Sequence, residues 1–154
     1  MNKTNAMRIL DSEKVAYIAR EYDEEITDGE TVAKTVGVDP DRVFKTLVTV
    51  GNDLNHYVFI VPVNFSLDLK KAAYAVGVKR VEMIKLKDLF PLTGYVHGGC
   101  SPVGMKKTFP TYLDETAILY DEIFVSGGRI GLSVGVAPET LAGYLDAAFA
   151  DLID

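Results

Sequence analysis

The sequence has very little cysteine and no long apolar segment. Cys100 is the one cysteine in 154 residues, which excludes an internal disulfide framework and a cysteine-rich metal site. The longest apolar run, YVFIVPV at 57–63, is far shorter than the roughly 20 residues that a membrane-spanning helix needs. The N-terminal segment also lacks the basic start and following apolar run that are typical of a secretion signal. With 48% apolar residues, the chain is expected to form a single domain spanning 1–154, cytoplasmic and without a membrane partner.

An excess of positive charge is also missing. The 22 Asp and Glu outnumber the 16 Lys and Arg, for a net charge of −6, whereas a protein that wraps nucleic acid needs many basic residues to neutralise phosphates. The charge is uneven, however. Residues 70–107 hold eight basic and two acidic residues, a local charge of +6 against −12 elsewhere. This asymmetry fits either one small anion-binding surface or a solvated basic helix face.

Common fingerprints of nucleotide, metal and glycosidase sites are absent as well. Neither GxxxxGK[ST] nor GxGxxG occurs in the sequence, which argues against nucleotide binding through these motifs. His56, His97 and Cys100 lack the close pairs and neighbouring carboxylates typical of metal ligands, and no two acidic residues form an obvious catalytic pair. We therefore expect no metal and no cofactor.

Hairpins dominate the strand pattern. Residues 44–50 (FKTLVTV) and 56–63 (HYVFIVPV) are rich in β-branched and aromatic side chains, and the turn residues GNDLN separate them. Helical signals are shorter. KLKDLF at 85–90 predicts one helical turn ended by Pro91, and a helix is predicted from Pro138 to residue 153. Because strands and helices do not alternate strictly, the sequence predicts an α+β fold, a mixed, largely antiparallel β-barrel surrounded by helices.

One lysine lies within a strand that is otherwise mostly apolar. Strand periodicity puts Lys45 on the same face as Leu47 and Thr49. A lysine at this position either protects an edge strand against aggregation or projects into a cavity, where its charge meets negative charge that develops on a substrate.

Two loops contain adjacent glycines. In VHGGCSPVGMKK (96–107), Gly98 and Gly99 allow close approach of the backbone to a ligand, and their N–H groups can bind an anion. The second loop, in FVSGGRIG (124–131), also reads as a simple hairpin turn. Each loop carries a serine, and the sequence does not decide which hydroxyl lines a site. Cys100 with His97 is a weak candidate for a nucleophile and its base, since no third residue to orient them is apparent.

Five segments together resemble one known family: EYDE (21–24), RVFKTLV (42–48), NFSLDLKKAAYAVGVKRVEM (64–83), GYVHGGCSPVGMKK (94–107) and VSGGRIGLSVGVAPETLA (125–142). They are similar, in order along nearly the whole chain, to the YbaK family of free-standing aminoacyl-tRNA deacylases, relatives of the editing domain in bacterial prolyl-tRNA synthetase. The resemblance implies a mixed β-barrel ringed by helices. It also implies an enzyme that cleaves the ester between a wrongly attached amino acid and tRNA.

The resemblance also assigns residues. The family's essential lysine falls on Lys45, and its pocket glycines fall on Gly98 and Gly99, which together form the expected catalytic set. The expected substrate-binding residues are Tyr22, Ser101, Pro102, Ser126 and Gly127. The acceptor end of a mischarged tRNA is expected to contact lysines of the basic segment, namely Lys70, Lys71, Lys106 and Lys107.

Several questions stay open at this point. Cysteine attached to proline tRNA is the first expected substrate, and alanine on the same tRNA is the alternative. Either water or the thiol of a cysteine substrate can attack the ester carbonyl. A Cys100-dependent hydrolase and a non-catalytic module that binds the tRNA end or a small ligand are the competing functions. Docking to prolyl-tRNA synthetase is a further expectation, and the oligomeric state is undetermined.

Overall fold

A computed structural model describes residues 2–26 and 28–154 of the chain. Within these residues there are five α-helices and eight strands, together with short 3₁₀ turns at Pro40–Arg42 and Glu115–Leu119. The helices are α1 (Asn5–Ser12), α2 (Gly29–Val36), α3 (Leu69–Val76), α4 (Leu86–Thr93) and α5 (Pro138–Leu145). The strands are β1 (Tyr17–Glu21), β2 (Phe44–Gly51), β3 (His56–Pro62), β4 (Val81–Met83), β5 (Thr111–Asp114), β6 (Ile123–Ser126), β7 (Leu132–Val136) and β8 (Ala148–Ala150). Among the described residues, no helix is long and apolar enough to cross a membrane.

The strands form two sheets. One has the order β1-β7-β6 and is antiparallel throughout, and the other has the order β4-β2-β3-β5-β8. In the second sheet the β3–β5 and β5–β8 pairs are parallel and the others antiparallel. The predicted mixed, largely antiparallel α+β fold is confirmed. The predicted barrel is not, because in the described part of the chain the sheets are linked by one isolated bridge, Val43 to Phe124, and do not close.

The five-stranded sheet is buried on both faces. Along β3, Val58 and Ile60 pack into the main core between the two sheets, whereas Phe59 and Val61 pack on the other face against α3 and Leu152. Burial on both faces explains why HYVFIVPV is almost continuously apolar instead of alternating. The hairpin predicted from GNDLN is present, with β2 and β3 antiparallel from Phe44–Pro62 to Val50–His56.

The prediction for the C-terminal segment is wrong in its extent. The last helix ends at Leu145, and Asp146 follows in the left-handed conformation with φ 53°. The Ala147 N–H bonds back to the Ala142 carbonyl in a helix-ending turn. Residues Ala148–Ala150 then form β8, parallel to β5. Pairing with the edge of a preformed sheet outweighs the helical periodicity of this segment.

The predicted end of α4 is also wrong. Pro91 lies within this helix, which continues to Thr93 and ends at Gly94 with φ +85°. Proline removes the hydrogen bond to the carbonyl of Lys87, but Lys87 is exposed, so water can take that place. The loop that carries Gly98 therefore begins one turn later than the sequence predicted.

Asp114 is a fully buried carboxylate that holds the C-terminal segment to the end of β5. It has 0% exposure and accepts hydrogen bonds from the Leu152 N–H at 2.9 Å and from the N–H and hydroxyl of Thr116. Buried carboxylates are tolerated where several donors compensate their desolvation.

We expect Asp114→Ala to lower the free energy of unfolding by about 2–3 kcal/mol, since it leaves buried donors unpaired. The exposed Asp121 provides a matched control, and Asp121→Ala should stay within about 0.5 kcal/mol of the parent. Denaturant unfolding followed by circular dichroism measures both. Equal stability of the two variants would show that the buried network contributes nothing.

Candidate active site

A cavity of about 450 Å³ opens where the two sheets approach each other. Its walls are residues 43–47 at the start of β2, residues 28–32 at the start of α2, the loop 97–100, the end of β6 and part of β7. A cavity of this size is in the usual range for a small-molecule site. It is large enough for an esterified nucleoside.

The cavity exists because β2 is paired along only part of its length on one side. β4 pairs with Thr49–Gly51, and the Ile84 N–H extends the contact to the Val48 carbonyl. Backbone groups of alternate residues in an antiparallel strand point to the same side. The N–H and C=O of Thr46 therefore point to the same edge as the Val48 carbonyl, beyond the reach of β4. The open edge of β2 thus forms a wall of the cavity.

Lys45 lines this cavity and is half-buried. Burial lowers the pKa of its ammonium group, an effect that the charges of Asp154 and Glu30 partly oppose. Lys45 makes no ion pair within 4.0 Å in the described residues. A partly desolvated cation without a direct partner is well suited to binding an anionic group of a ligand.

Thr46 was not predicted from the sequence. It lines the cavity, and its Oγ1 is the one side-chain oxygen or nitrogen in residues 2–26 and 28–154 that is buried without a hydrogen-bond partner. It faces the side of the sheet occupied by Ile60, opposite to the face of Lys45 and Val61. A buried unpaired hydroxyl typically costs about 1–3 kcal/mol. A ligand that supplied a partner would recover this energy.

The two predicted glycines have different environments. Gly98 lines the cavity and has φ +87°, a left-handed conformation that favours glycine. Its N–H has no acceptor among the described residues. Gly99 is buried behind it, and its N–H donates to the Val96 carbonyl at 3.0 Å. Gly98, not Gly99, is therefore the residue with a free amide at the cavity.

The structure brings the two glycine loops together. A Cβ on Gly99 would lie only 2.9 Å from the Ile130 nitrogen of the second loop. Ser126, at the end of β6, lines the cavity, and its Oγ accepts a hydrogen bond from the Gly128 N–H at 3.2 Å. The contact between the loops requires a residue without a side chain at position 99.

Three of the five predicted substrate-binding residues, Ser101, Pro102 and Gly127, do not line the cavity. Ser101 is 1% exposed, and its Oγ accepts from the Val103 N–H at 3.1 Å, so its hydroxyl organises the loop. Pro102 is buried beside it. A Cβ on Gly127 would meet Leu132 Cγ at 2.7 Å, which makes Gly127 a packing position. The structure thus puts Ser126, not Ser101, at the cavity.

Cys100 lines the cavity, but its environment does not suit a nucleophile. The residue is 9% exposed, and burial raises the pKa of its thiol to about 12, an effect that a hydrogen bond with Thr93 slightly opposes. A nucleophilic cysteine needs a thiolate near neutral pH. His97 is exposed at the cavity wall, and no third residue is hydrogen-bonded to either side chain in a triad-like way among the described residues. This environment argues against a Cys–His hydrolase.

Tyr22 lines the cavity from the end of β1. Its N–H donates to the Gly131 carbonyl at 2.9 Å, which fixes the backbone next to the second glycine loop. Burial raises the pKa of the Tyr22 hydroxyl, so that it stays protonated and can donate a hydrogen bond.

Asp28, Gly29 and Ser133 also line the cavity, and sequence reasoning missed them. The Asp28 side chain caps α2 by accepting from the Thr31 N–H at 3.0 Å. A Cβ on Gly29 would lie 2.6 Å from Val63 Cβ, so glycine allows α2 to pack on the end of the hairpin. The cap signal of Asp28 is visible in the sequence, but its neighbours in space are not.

The four predicted tRNA-binding lysines belong to two separate elements. Lys70 and Lys71 lie on α3, where Lys71 forms an ion pair with Asp151 at 3.1 Å. Lys106 and Lys107 are exposed beside α4, and the Lys106 Nζ lies 5.3 Å from the centroid of the Phe90 ring. In the described parts of the chain, no group of three or more His, Cys, Asp or Glu residues could hold a metal ion.

Comparisons with known proteins identify the family of this chain. The family described as "Aminoacyl-tRNA editing domain" matches residues 23–144. The chain is 49% identical over 152 residues to a protein of Enterococcus faecalis named "Putative Cys-tRNA(Pro)/Cys-tRNA(Cys) deacylase EbsC", a match that covers 97% of this chain and 93% of that protein. It is 34% identical over 82 residues to the proline–tRNA ligase of Shouchella clausii, covering 53% of this chain and 14% of the ligase.

A solved structure is similar over the whole chain. It is described as a "putative trans-editing enzyme for prolyl tRNA synthetase", with a TM-score of 0.86 at 28% identity, covering 100% of this chain and 99% of that one. The family match spans most of the chain, and the Enterococcus relative shares almost half of its residues over nearly its full length. This chain therefore belongs to the aminoacyl-tRNA editing domain family.

Proposed function

We propose that the protein is an aminoacyl-tRNA deacylase that removes a wrongly attached amino acid in translation quality control, with cysteine on proline tRNA as its main substrate. The observation that carries the proposal is the convergence of Lys45, the unpaired hydroxyl of Thr46 and the free amide of Gly98 on one cavity. Family membership and the name of the Enterococcus relative support the reaction and the choice of cysteine. The resemblance to part of a proline–tRNA ligase supports proline tRNA as the carrier.

The cavity supplies positioning and fixed charge, and no protein nucleophile is needed. Attack on the ester carbonyl produces a tetrahedral carbon with a negatively charged oxygen, which preorganised donors stabilise. Gly98 lines the cavity, and its unpaired amide can act as such a donor. Lys45 neutralises negative charge on this oxygen or on the terminal phosphate. Because its ammonium is partly desolvated, the attraction is stronger than it would be in bulk water.

The ester bond can be cleaved by two routes. In the first, a water oxygen bonds to the carbonyl carbon, the bond to the ribose oxygen breaks, and the ribose oxygen takes a proton from the water. In the second, the thiol sulfur of a cysteine ester bonds to its own carbonyl carbon and the bond to the ribose oxygen breaks. The ribose oxygen takes the thiol proton, the tRNA is released, and a cyclic thioester is formed. Holding the reacting atoms together supplies much of the rate in either route. The second route suits cysteine and is closed to alanine.

The direct test of this function is the loss of the ester from tRNAs charged with cysteine, alanine, serine or proline, incubated with the purified protein. We expect cysteine to be released from proline tRNA fastest and correctly charged proline to be left in place. Preferential release of alanine would assign the alternative specificity within the same activity. No release from any of the four would overturn the proposal and leave a non-catalytic binding module.

We expect Lys45→Met to lower kcat/KM for cysteinyl-proline-tRNA by about 10²–10³, the usual effect of removing one group that stabilises the transition state. Lys34→Met, at an exposed position of α2 away from the cavity, is the matched control and should change the rate less than threefold. Single-turnover deacylation measures both. Equal rates for Lys45→Met and the parent would refute the role of this lysine.

Thr46→Val should have opposite effects on stability and on activity. Valine has nearly the same shape but removes the unpaired hydroxyl, so the free energy of unfolding should rise by up to about 1–2 kcal/mol. The rate of deacylation should fall about 10-fold or more, because the substrate loses the partner that the hydroxyl offers. Thr46→Ser keeps the hydroxyl and should retain most activity. If Thr46→Val is destabilised and fully active, the hydroxyl has only a structural role.

Cys100→Ala should retain deacylase activity within about threefold, since a thiol with a pKa near 12 is not a nucleophile at neutral pH. Thiol alkylation of the native protein should likewise be slow. In the deacylation assay, Lys45→Met provides the reference with strongly reduced activity. Complete loss of activity in a folded Cys100→Ala protein, judged by its circular dichroism spectrum, would favour the Cys–His hydrolase instead.

A further inference from the structure

The outer side of α4 exposes two large apolar side chains. Leu86 is 68% exposed and Phe90 is 56% exposed. Their i, i+4 spacing puts them next to each other on the helix. The Lys106 ammonium lies 5.3 Å from the centroid of the Phe90 ring. An aromatic ring left open to solvent with a cation above it can bind either the cation or another flat π-system.

Four exposed lysines are neighbours of this pair, two of them next to it in the chain and two in the segment whose Lys106 lies over the Phe90 ring. Lys85 and Lys87 belong to the start of α4, and Lys106 and Lys107 follow the glycine loop. None of the four forms an ion pair in the parts of the chain that the structure describes. The recorded ion pairs use other cations, namely Lys3, Arg42, Lys71 and Arg129. These ammonium groups are therefore available to an anionic partner.

The same helix is also part of the cavity wall. Leu89 lines the cavity, and the loop that follows α4 contributes His97 and Gly98. The Lys106 N–H donates to the Thr93 carbonyl at 3.1 Å, which fixes the lysine pair to the end of the helix. A second hollow of about 320 Å³ lies between residues 94–96 and 128–130, beside the same loop. The exposed side of α4 is therefore joined to the cavity by the same helix and loop.

We propose that the α4 surface, defined by Lys85, Leu86, Lys87, Phe90, Lys106 and Lys107, binds the single-stranded 3′ end of the tRNA, with one base stacked on Phe90. The inference rests on the proposed function and adds to it the residues that recognise the nucleic acid. On binding, the Lys106 ammonium moves from the ring to a phosphate, and the base takes its place. Stacking on an exposed aromatic ring combined with unpaired lysines is the general way in which proteins bind single strands without reading sequence.

The observations favour a nucleic acid over a protein partner. A stable protein interface buries about 800 Å² on each side around an apolar centre, whereas two apolar side chains among four unpaired lysines offer mainly charge. Outside residues 70–107, which carry a charge of +6, the chain has a net charge of −12. A polyanion is therefore attracted to this surface and repelled elsewhere.

The test compares two substrates that carry the same ester. One is full-length cysteinyl-proline-tRNA, and the other is cysteine esterified to adenosine alone, which fills the cavity but is too short to cover the α4 surface. Phe90→Ala should raise KM for the tRNA about tenfold with little change in kcat, and should leave kcat/KM for the adenosine ester within twofold. Tyr74→Ala, on α3 with 90% exposure, is the matched aromatic control and should change neither value.

The lysines are tested through salt dependence. The double variant Lys87→Ala/Lys106→Ala should reduce the slope of log KM for tRNA against log salt concentration by about 1.4, the value for two lost contacts to a single strand. The control Lys34→Ala/Lys79→Ala, at two exposed positions outside this surface, should leave the slope unchanged. If the α4 variant leaves the slope unchanged, these lysines do not bind the tRNA and the proposal is wrong.

Direct binding separates failure of the surface from failure of the enzyme. Fluorescence anisotropy with a short single-stranded RNA ending in CCA requires no catalysis, so it tests the α4 surface even if no ester is cleaved. We expect Phe90→Ala to weaken this binding about tenfold and Tyr74→Ala to have no effect. Unchanged RNA binding by Phe90→Ala would overturn the proposal. If Phe90→Ala binds RNA as the parent does but binds vesicles of anionic phospholipid more weakly, the surface contacts a membrane instead. That result would also overturn the proposal.

Discussion

The candidate active site depends on the incomplete pairing of one strand. β2 is hydrogen-bonded to β3 along its length, but β4 reaches only its last residues. The edge beside Thr46 is left open, and an open strand edge normally invites pairing with another chain. Here α2, the loop 97–100 and the end of β6 surround that edge and enclose a cavity. The backbone that would be a liability on a free surface becomes a wall of the site.

The open edge also explains why two adjacent residues of one strand serve the same cavity. Lys45 and Thr46 point to opposite faces of the sheet, yet both line the space beyond the edge. Neither side chain is satisfied in the free protein: the lysine is partly desolvated and the threonine hydroxyl is buried without a partner. Unsatisfied groups of this kind lower stability, and their presence together is typical of a site that is completed by its ligand.

The helix α4 and the loop that follows it join this cavity to the outside. One side of the helix contributes Leu89 to the wall, while Phe90 and the lysines near it remain in solvent. Gly94 ends the helix and Gly98 turns the chain toward the cavity. Gly99 allows the backbone to touch the second glycine loop. The buried thiol of Cys100 fills space behind this turn and takes no part in the chemistry that we propose.

Features that depend on neighbouring residues in the chain were predicted correctly, whereas features that depend on contacts between distant segments were not. Local rules gave the β2–β3 hairpin and the start of α5 at Pro138. They failed for the segment after Leu145, where pairing with β5 replaced the expected helix. The motifs FKTL, GGCSP and VSGG identified the family, which the comparisons confirmed. They did not distinguish Gly98 from Gly99 at the cavity.

By itself, then, the sequence determined the short elements, the antiparallel hairpins, the family and the importance attached to Lys45, because these depend on residues close together in the chain or on recognisable motifs. Only the tertiary structure decided that Ser126 and not Ser101 reaches the cavity, that Thr46 has no partner, and that Phe90 lies open beside lysines. The physical reason is that burial and hydrogen-bond satisfaction depend on what the rest of the fold brings to each side chain, and no local pattern encodes those neighbours.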